Sequence, residues 1–119
     1  MISIRAAKLD QPQVINANWD KHPWRDAQPA LIENYMGDRP EHFPLAQVKI
    51  AYDDQAVYAI FRVEDKYVRA AAREYQDSVY KDSCVEFFFA PDANSPDEYF
   101  NLEANCGGTI LFQFHKASD

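Results

Sequence analysis

The sequence predicts an all-β fold, a sandwich of antiparallel strands. Three observations lead there. Short segments rich in aromatic and β-branched residues recur from residue 47 onward. Turn residues separate them, in Asp53-Asp54-Gln55, Glu64-Asp65-Lys66, Pro91 to Asp97 and Gly107-Gly108. Apolar side chains alternate with polar ones in several of them, the period of a strand with one covered face.

Taken in order, residues 2–7 read as a short edge strand. Residues 10–46 hold five of the seven prolines and little pattern. Leu31 to Met36 reads as a helical turn that Pro40 and Pro44 keep short. Both tryptophans fall here, in Trp19-Asp20-Lys21-His22-Pro23-Trp24. They cover one end of a sheet or, in a sharper reading, form a stacking platform for a ligand. From Gln47, Val48, Ile50 and Tyr52 alternate with Lys49, Ala51 and Asp53. Ala56 to Val63 is apolar on both faces, as in a buried central strand. Tyr67 to Tyr75 reads as a strand running into a loop. Residues 83–90, Tyr99 to Cys106 and Thr109 to Phe114 are the last three strands.

At 119 residues the chain is one domain, residues 1–119, with a modest core. Its net charge of -7 and lack of a basic block exclude nucleic acid as a natural partner and disfavour an anionic membrane. No apolar run approaches the roughly 20 residues of a membrane span. The start, Met1 to Lys8, lacks a signal-peptide core, so the chain is expected to be cytoplasmic or a mature segment. Cys84 and Cys106 make no disulfide framework and read as reduced, packed residues.

The polar positions of the last three strands carry the chemistry. A three-residue Cys106-Gly107-Gly108 loop places Asn105 opposite Thr109 and gathers the aromatics with Phe100 and Leu102. Gln113 and His115 then join Glu103 on the other face. That register separates polar from apolar, and a left-handed glycine suits such a loop. Pairing Phe89 with Phe100 and Phe87 with Leu102 sets Glu86 directly opposite Glu103. Facing carboxylates destabilise a sheet unless they share a proton, a cation, a basic side chain or ligand hydroxyls. The face so built carries Glu86, Asn101, Glu103 and Asn105, groups suited to hydroxyls. The plainer reading is a solvated outer face, although Phe88 also lies there.

Tyr80-Lys81-Asp82-Ser83-Cys84-Val85-Glu86-Phe87-Phe88, followed by Tyr99-Phe100-Asn101-Leu102-Glu103-Ala104-Asn105-Cys106-Gly107-Gly108, resembles the family 9 carbohydrate-binding modules. Ala51 to Tyr58 and Val63-Glu64-Asp65 fit the same pattern. The resemblance covers residues 45–114 well and the N-terminal part loosely. It implies a non-catalytic, antiparallel immunoglobulin-like or jelly-roll β-sandwich that binds a mono- or oligosaccharide, in bacterial proteins of polysaccharide use, secreted or periplasmic. In such modules two rings clamp a terminal sugar, one of them six residues before a strand glutamate. Here those positions are Tyr80 and Glu86. Most members have tryptophan at the first, so weaker stacking is expected. Asn101, Glu103 and Asn105 are the implied contacts on the next strand. A structural calcium would fall to Asp53, Asp54 and Asp65. Such modules continue past the Gly-Gly hairpin, and the second ring comes from that later part. The resemblance therefore implies a front portion whose exposed sheet is covered by missing C-terminal strands or by a second copy.

Two other functions share these residues. A glycoside hydrolase would use Glu86 and Glu103 as its carboxylate pair. A haem-binding electron-transfer domain of related fold would draw on Met36, His22, His42 or His115.

Overall fold

The computed structural model describes residues 3–117. The all-β expectation holds: among the described residues seven strands form two sheets of mainly antiparallel pairing, as a β-sandwich requires, with two short 3-10 turns. The chain forms two compact units, residues 1–66 and 67–119. Among the described residues no helix is long and apolar enough to cross a membrane.

The first unit is organised by β3, Leu45–Tyr52, which pairs along its whole length with β4, Val57–Glu64. Two dipeptide strands share the other edge of β3. Ala7–Lys8, β1, pairs parallel to Ala51 and Tyr52, and Ala30–Leu31, β2, pairs antiparallel to Val48 and Gln47. The expected edge strand is thus shorter and later than residues 2–7, and residue 2 lies outside the described residues. The expected helical turn at Leu31 to Met36 is absent. One turn of helix is costly to nucleate, and the open edge of β3 offers better partners: Ile32 N–H extends the ladder to Ala46 O at 2.9 Å.

Leu9, Trp24, Ala51 and Ile60 form the core of this unit, with Trp19 packed against it. The tryptophans therefore cover a sheet, and Trp24 is too buried to stack on a ligand. Lys49 shares this buried face. Its ammonium donates to Trp24 O at 2.8 Å and lies 4.1 Å from the centre of the Trp19 ring, which meets the cost of its burial. Among the described residues β4 pairs only with β3, and Val57 and Val63 are exposed. Its two apolar faces thus belong to an edge strand, where a central one was expected.

The second unit contains β5, Cys84–Phe89, β6, Glu98–Asn105, and β7, Ile110–Lys116, in that spatial order. The β5–β6 register pairs Phe89 with Phe100, Phe87 with Leu102 and Glu86 with Glu103, as expected. The β6–β7 register pairs Leu102 with Phe112 and Phe100 with Phe114. The aromatic side chains of the three strands stack across this face, with Phe100 5.2 Å from Phe112 and 5.4 Å from Phe89. The hairpin has the expected three-residue loop. Asn105 N–H donates to Thr109 O at 3.0 Å, and Gly108 takes φ +87°, a left-handed conformation.

Residues 67–78 form no strand, contrary to expectation. Their backbone groups are satisfied by side chains instead of a ladder. Arg69 N–H donates to Ser83 Oγ, Ala72 N–H to Asp82 Oδ2, and Arg73 and Glu74 N–H to Asp77 Oδ2. Gln76, at φ +74°, lies along the outer edge of β7. Its backbone N–H donates to Ile110 O at 2.8 Å, and its amide bonds both the N–H and C=O of Phe112, at 2.7 and 3.0 Å. The segment ends in a 3-10 turn, Val79–Lys81, that packs on β5 and β6 and fully buries Val79.

Candidate functional site

Alternation on β5, β6 and β7 puts Glu86, Phe88, Tyr99, Asn101, Glu103, Asn105, Gln113 and His115 on one face. This face is not a plain solvated surface. Asn101, Glu103 and Asn105 are 6%, 7% and 5% exposed, whereas Phe114 on the apolar face is exposed. Burial of polar groups requires partners, and these three meet that requirement differently.

Asn105 is fully committed inside the protein. Its Nδ2 donates to Ala72 O at 2.9 Å and to Asp82 Oδ2 at 3.0 Å. Its Oδ1 accepts from Gly107 N–H at 3.0 Å and Thr109 N–H at 2.9 Å. A primary amide has two donors and two acceptor sites, so none remains for a sugar. Strand alternation carries no signal that Asn105 ties the hairpin turn to the residue 67–83 segment. Asp82 is the other half of that tie. It accepts from Ala72 N–H, Asn105 and Arg69 Nε, at 2.8, 3.0 and 3.2 Å. The Ala72 N–H in particular, with Asn105 and Arg69, holds its carboxyl down at about 2.

Asn101 and Glu103 are incompletely met. Asn101 Nδ2 donates to Glu103 Oε1 at 3.1 Å, but Asn101 Oδ1 and Glu103 Oε2 have no hydrogen-bond partner. Glu86, exposed on the neighbouring strand, faces Glu103 directly. Partial burial, and then the Glu103 carboxylate beside it, push Glu86 up to about 7. Half-buried Cys84 lies on the same face, and its thiol is pushed up by burial and then by Glu86, Glu103 and Asp82. It is therefore a poor nucleophile. Cys106 is exposed in the hairpin loop, where a packed residue was expected. Its Sγ reaches Arg69 O at 3.4 Å.

Phe88 is the cross-strand partner of Asn101, so exposed ring surface borders these acceptors. Tyr80 is 57% exposed in the turn that packs on β5 and β6. Phe88, also exposed, stacks on Tyr99 at 6.1 Å, and Tyr99 stacks on His115 at 5.2 Å. Alternation placed these three on the polar face. What it could not show is that they form a continuous strip across β5, β6 and β7.

The aspartates expected to hold calcium do not fit a shared ion. Asp53 and Asp65 flank the eight-residue β4, roughly 25 Å apart at about 3.3 Å per residue. Asp53 Oδ1 caps the β3–β4 turn through Gln55 and Ala56 N–H, and its Oδ2 accepts from Tyr58 Oη. Asp65 meets His42 Nε2 at 2.6 Å. Asp54 brings no further acidic ligand to them: among the described residues no three His, Cys, Asp or Glu side chains gather as a metal site. Of the haem-ligand candidates, His42 is engaged by Asp65, His115 stacks on Tyr99 and Met36 is exposed.

The chain is similar in fold to the crystal structure of a protein from Bacteroides uniformis to which carbohydrate binding has been ascribed. The TM-score is 0.75 at 22% identity, over 96% of this chain and 52% of that one. The present chain thus spans about half the length of that structure. Nothing among curated proteins matches it. The model of carbohydrate-binding family 9 matches residues 27–118, most of the sequence. On that match, the chain belongs to carbohydrate-binding family 9.

Proposed function

We propose that the polar face of β5, β6 and β7 binds a mono- or oligosaccharide without cleaving it. The observation that carries this reading is the pair of buried, unmatched acceptors, Asn101 Oδ1 and Glu103 Oε2, beside exposed Glu86. Sugar hydroxyls are donors of the right kind for all three. Tyr80 and Phe88 supply the exposed ring surface on which the C–H face of a pyranose packs. Asn105 and Asp82 hold the frame and touch no ligand. Family membership supports carbohydrate as the ligand class.

Calorimetry against a panel of neutral saccharides tests the proposal. Tyr80→Ala removes an exposed ring, so folding stability should change by less than about 0.5 kcal/mol. Affinity should fall roughly tenfold, the loss of a modest hot-spot contact. A protein that binds no saccharide defeats the reading.

One observation favours a second reading, glycoside hydrolysis. Glu86, raised to about 7 beside Glu103, has the protonation state of a general acid. Turnover of an aryl glycoside that disappears in Glu86→Gln would establish it.

A further inference from the structure

The binding face sets two carboxylates against each other with no lysine or arginine among its strand positions. Glu103 and Asn101 are each more than nine-tenths buried, yet each keeps one oxygen without a partner. Glu86 faces Glu103 across the β5–β6 ladder. No position on this face of the three strands is lysine or arginine. Lys116 lies on the opposite face, paired with Glu98 at 3.1 Å. Arg69, from the covering segment, is bound to Asp82, and Lys81 is exposed beside Tyr80. The basic group of the face, His115, is held against Tyr99.

Two facing carboxylates without a fixed counter-charge call for a mobile one. A primary ammonium supplies three donors and no acceptor, which complements such a pair better than a neutral hydroxyl does. Its hydrogen bonds to carboxylate are charge-assisted and roughly twice as strong as neutral ones.

We propose that the site prefers saccharides bearing a free amino group, with the ammonium bound by Glu86 and Glu103 and a neighbouring ring hydroxyl donated to Asn101 Oδ1. This rests on the saccharide-binding reading above and adds the substrate class. The same pair repels uronates, and an N-acetyl group removes the charge that the pair selects. The elevated Glu86 carboxyl agrees with this arrangement, because a proton occupies at neutrality what the ammonium would displace.

Titration calorimetry with glucosamine oligomers, their N-acetylated counterparts, and neutral and uronic-acid oligomers tests the preference. The free amino form should bind at least about tenfold tighter than the N-acetylated form, from one charge-assisted contact. Glu103→Gln should bring that ratio to within about twofold. If Glu103→Gln does not fold, Glu86→Gln, at the exposed member of the pair, decides: it too should bring the ratio to within about twofold. Equal binding of the amino and N-acetylated forms by the wild-type protein, or a ratio unchanged in Glu86→Gln, overturns the preference and leaves saccharide binding standing. Binding of spermidine or calcium as tight as that of the amino sugar also overturns it, by showing a general cation site. Failure of every saccharide sinks the underlying reading as well.

Discussion

Asn105→Ala should damage stability far more than its position in a hairpin implies. The wild-type side chain is 5% exposed and makes four hydrogen bonds, to Ala72 O, Asp82 Oδ2, Gly107 N–H and Thr109 N–H. At about 1 kcal/mol net for each, the gross loss is about 4 kcal/mol. Gly107 is exposed, so water can take its N–H in the variant. Ala72 O keeps the Thr109 hydroxyl at 2.9 Å. These two reliefs leave an expected loss of about 2–3 kcal/mol. Urea denaturation followed by far-ultraviolet circular dichroism reads it as a lower midpoint with unchanged slope. Asn105→Asp keeps the shape but replaces both donors with acceptors and places a second carboxylate against Asp82. It should be at least as damaging as alanine near neutral pH, and less so in acid. A loss below about 1 kcal/mol for alanine would refute the reasoning, because water would then replace the side chain at little cost. An Asn105→Ala protein that is fully stable yet blind to sugar would return Asn105 to the ligand contacts.

Other consequences follow from particular residues. Glu86 is raised from 4.5 to about 7 in the folded protein. The folded state therefore holds its proton more tightly, and this contribution to stability is present below pH 4.5 and is lost as pH rises through about 7. Chemical denaturation across that window should show the decline, and Glu86→Gln should flatten it. Gln76→Ala removes two amide hydrogen bonds to Phe112 and should cost about 1–2 kcal/mol in the same assay. Gly108→Ala meets no atom within 4 Å, yet φ +87° strains any residue with a Cβ. A loss of about 1–2 kcal/mol in thermal unfolding is expected from the backbone alone.

The parts legible in the sequence are those governed by local rules. Alternating Phe100, Leu102, Phe112 and Phe114, together with Gly107-Gly108, leave one register that keeps the aromatics together, and the strands adopt it. Glu86 opposite Glu103 follows from the same rule. Other parts depend on partners distant in sequence. Residues 67–78 have no period because Asp82 and Ser83 bond its backbone and its Gln76 bonds Phe112 of β7, across separations that propensity cannot see. Lys49 alternates as an outward residue would, and only the Trp24 carbonyl and the Trp19 ring make its burial tolerable. For Asn105 the residue type suited a ligand, while its four protein partners assign it to the frame.

The shared grip of Asn105 and Asp82 on Ala72 ties two loops into one cooperative element. The covering segment cannot lift at Ala72 without breaking its bond to Asn105, which also holds the Gly107-Gly108 turn, and the turn cannot fray without loosening that segment. Amide hydrogens of Ala72 and Thr109 should thus exchange at a common rate, through one opening event. Tyr80 lies between Ala72 and Asp82 in the chain, so the ring proposed to meet a sugar sits inside the stretch that this tie closes.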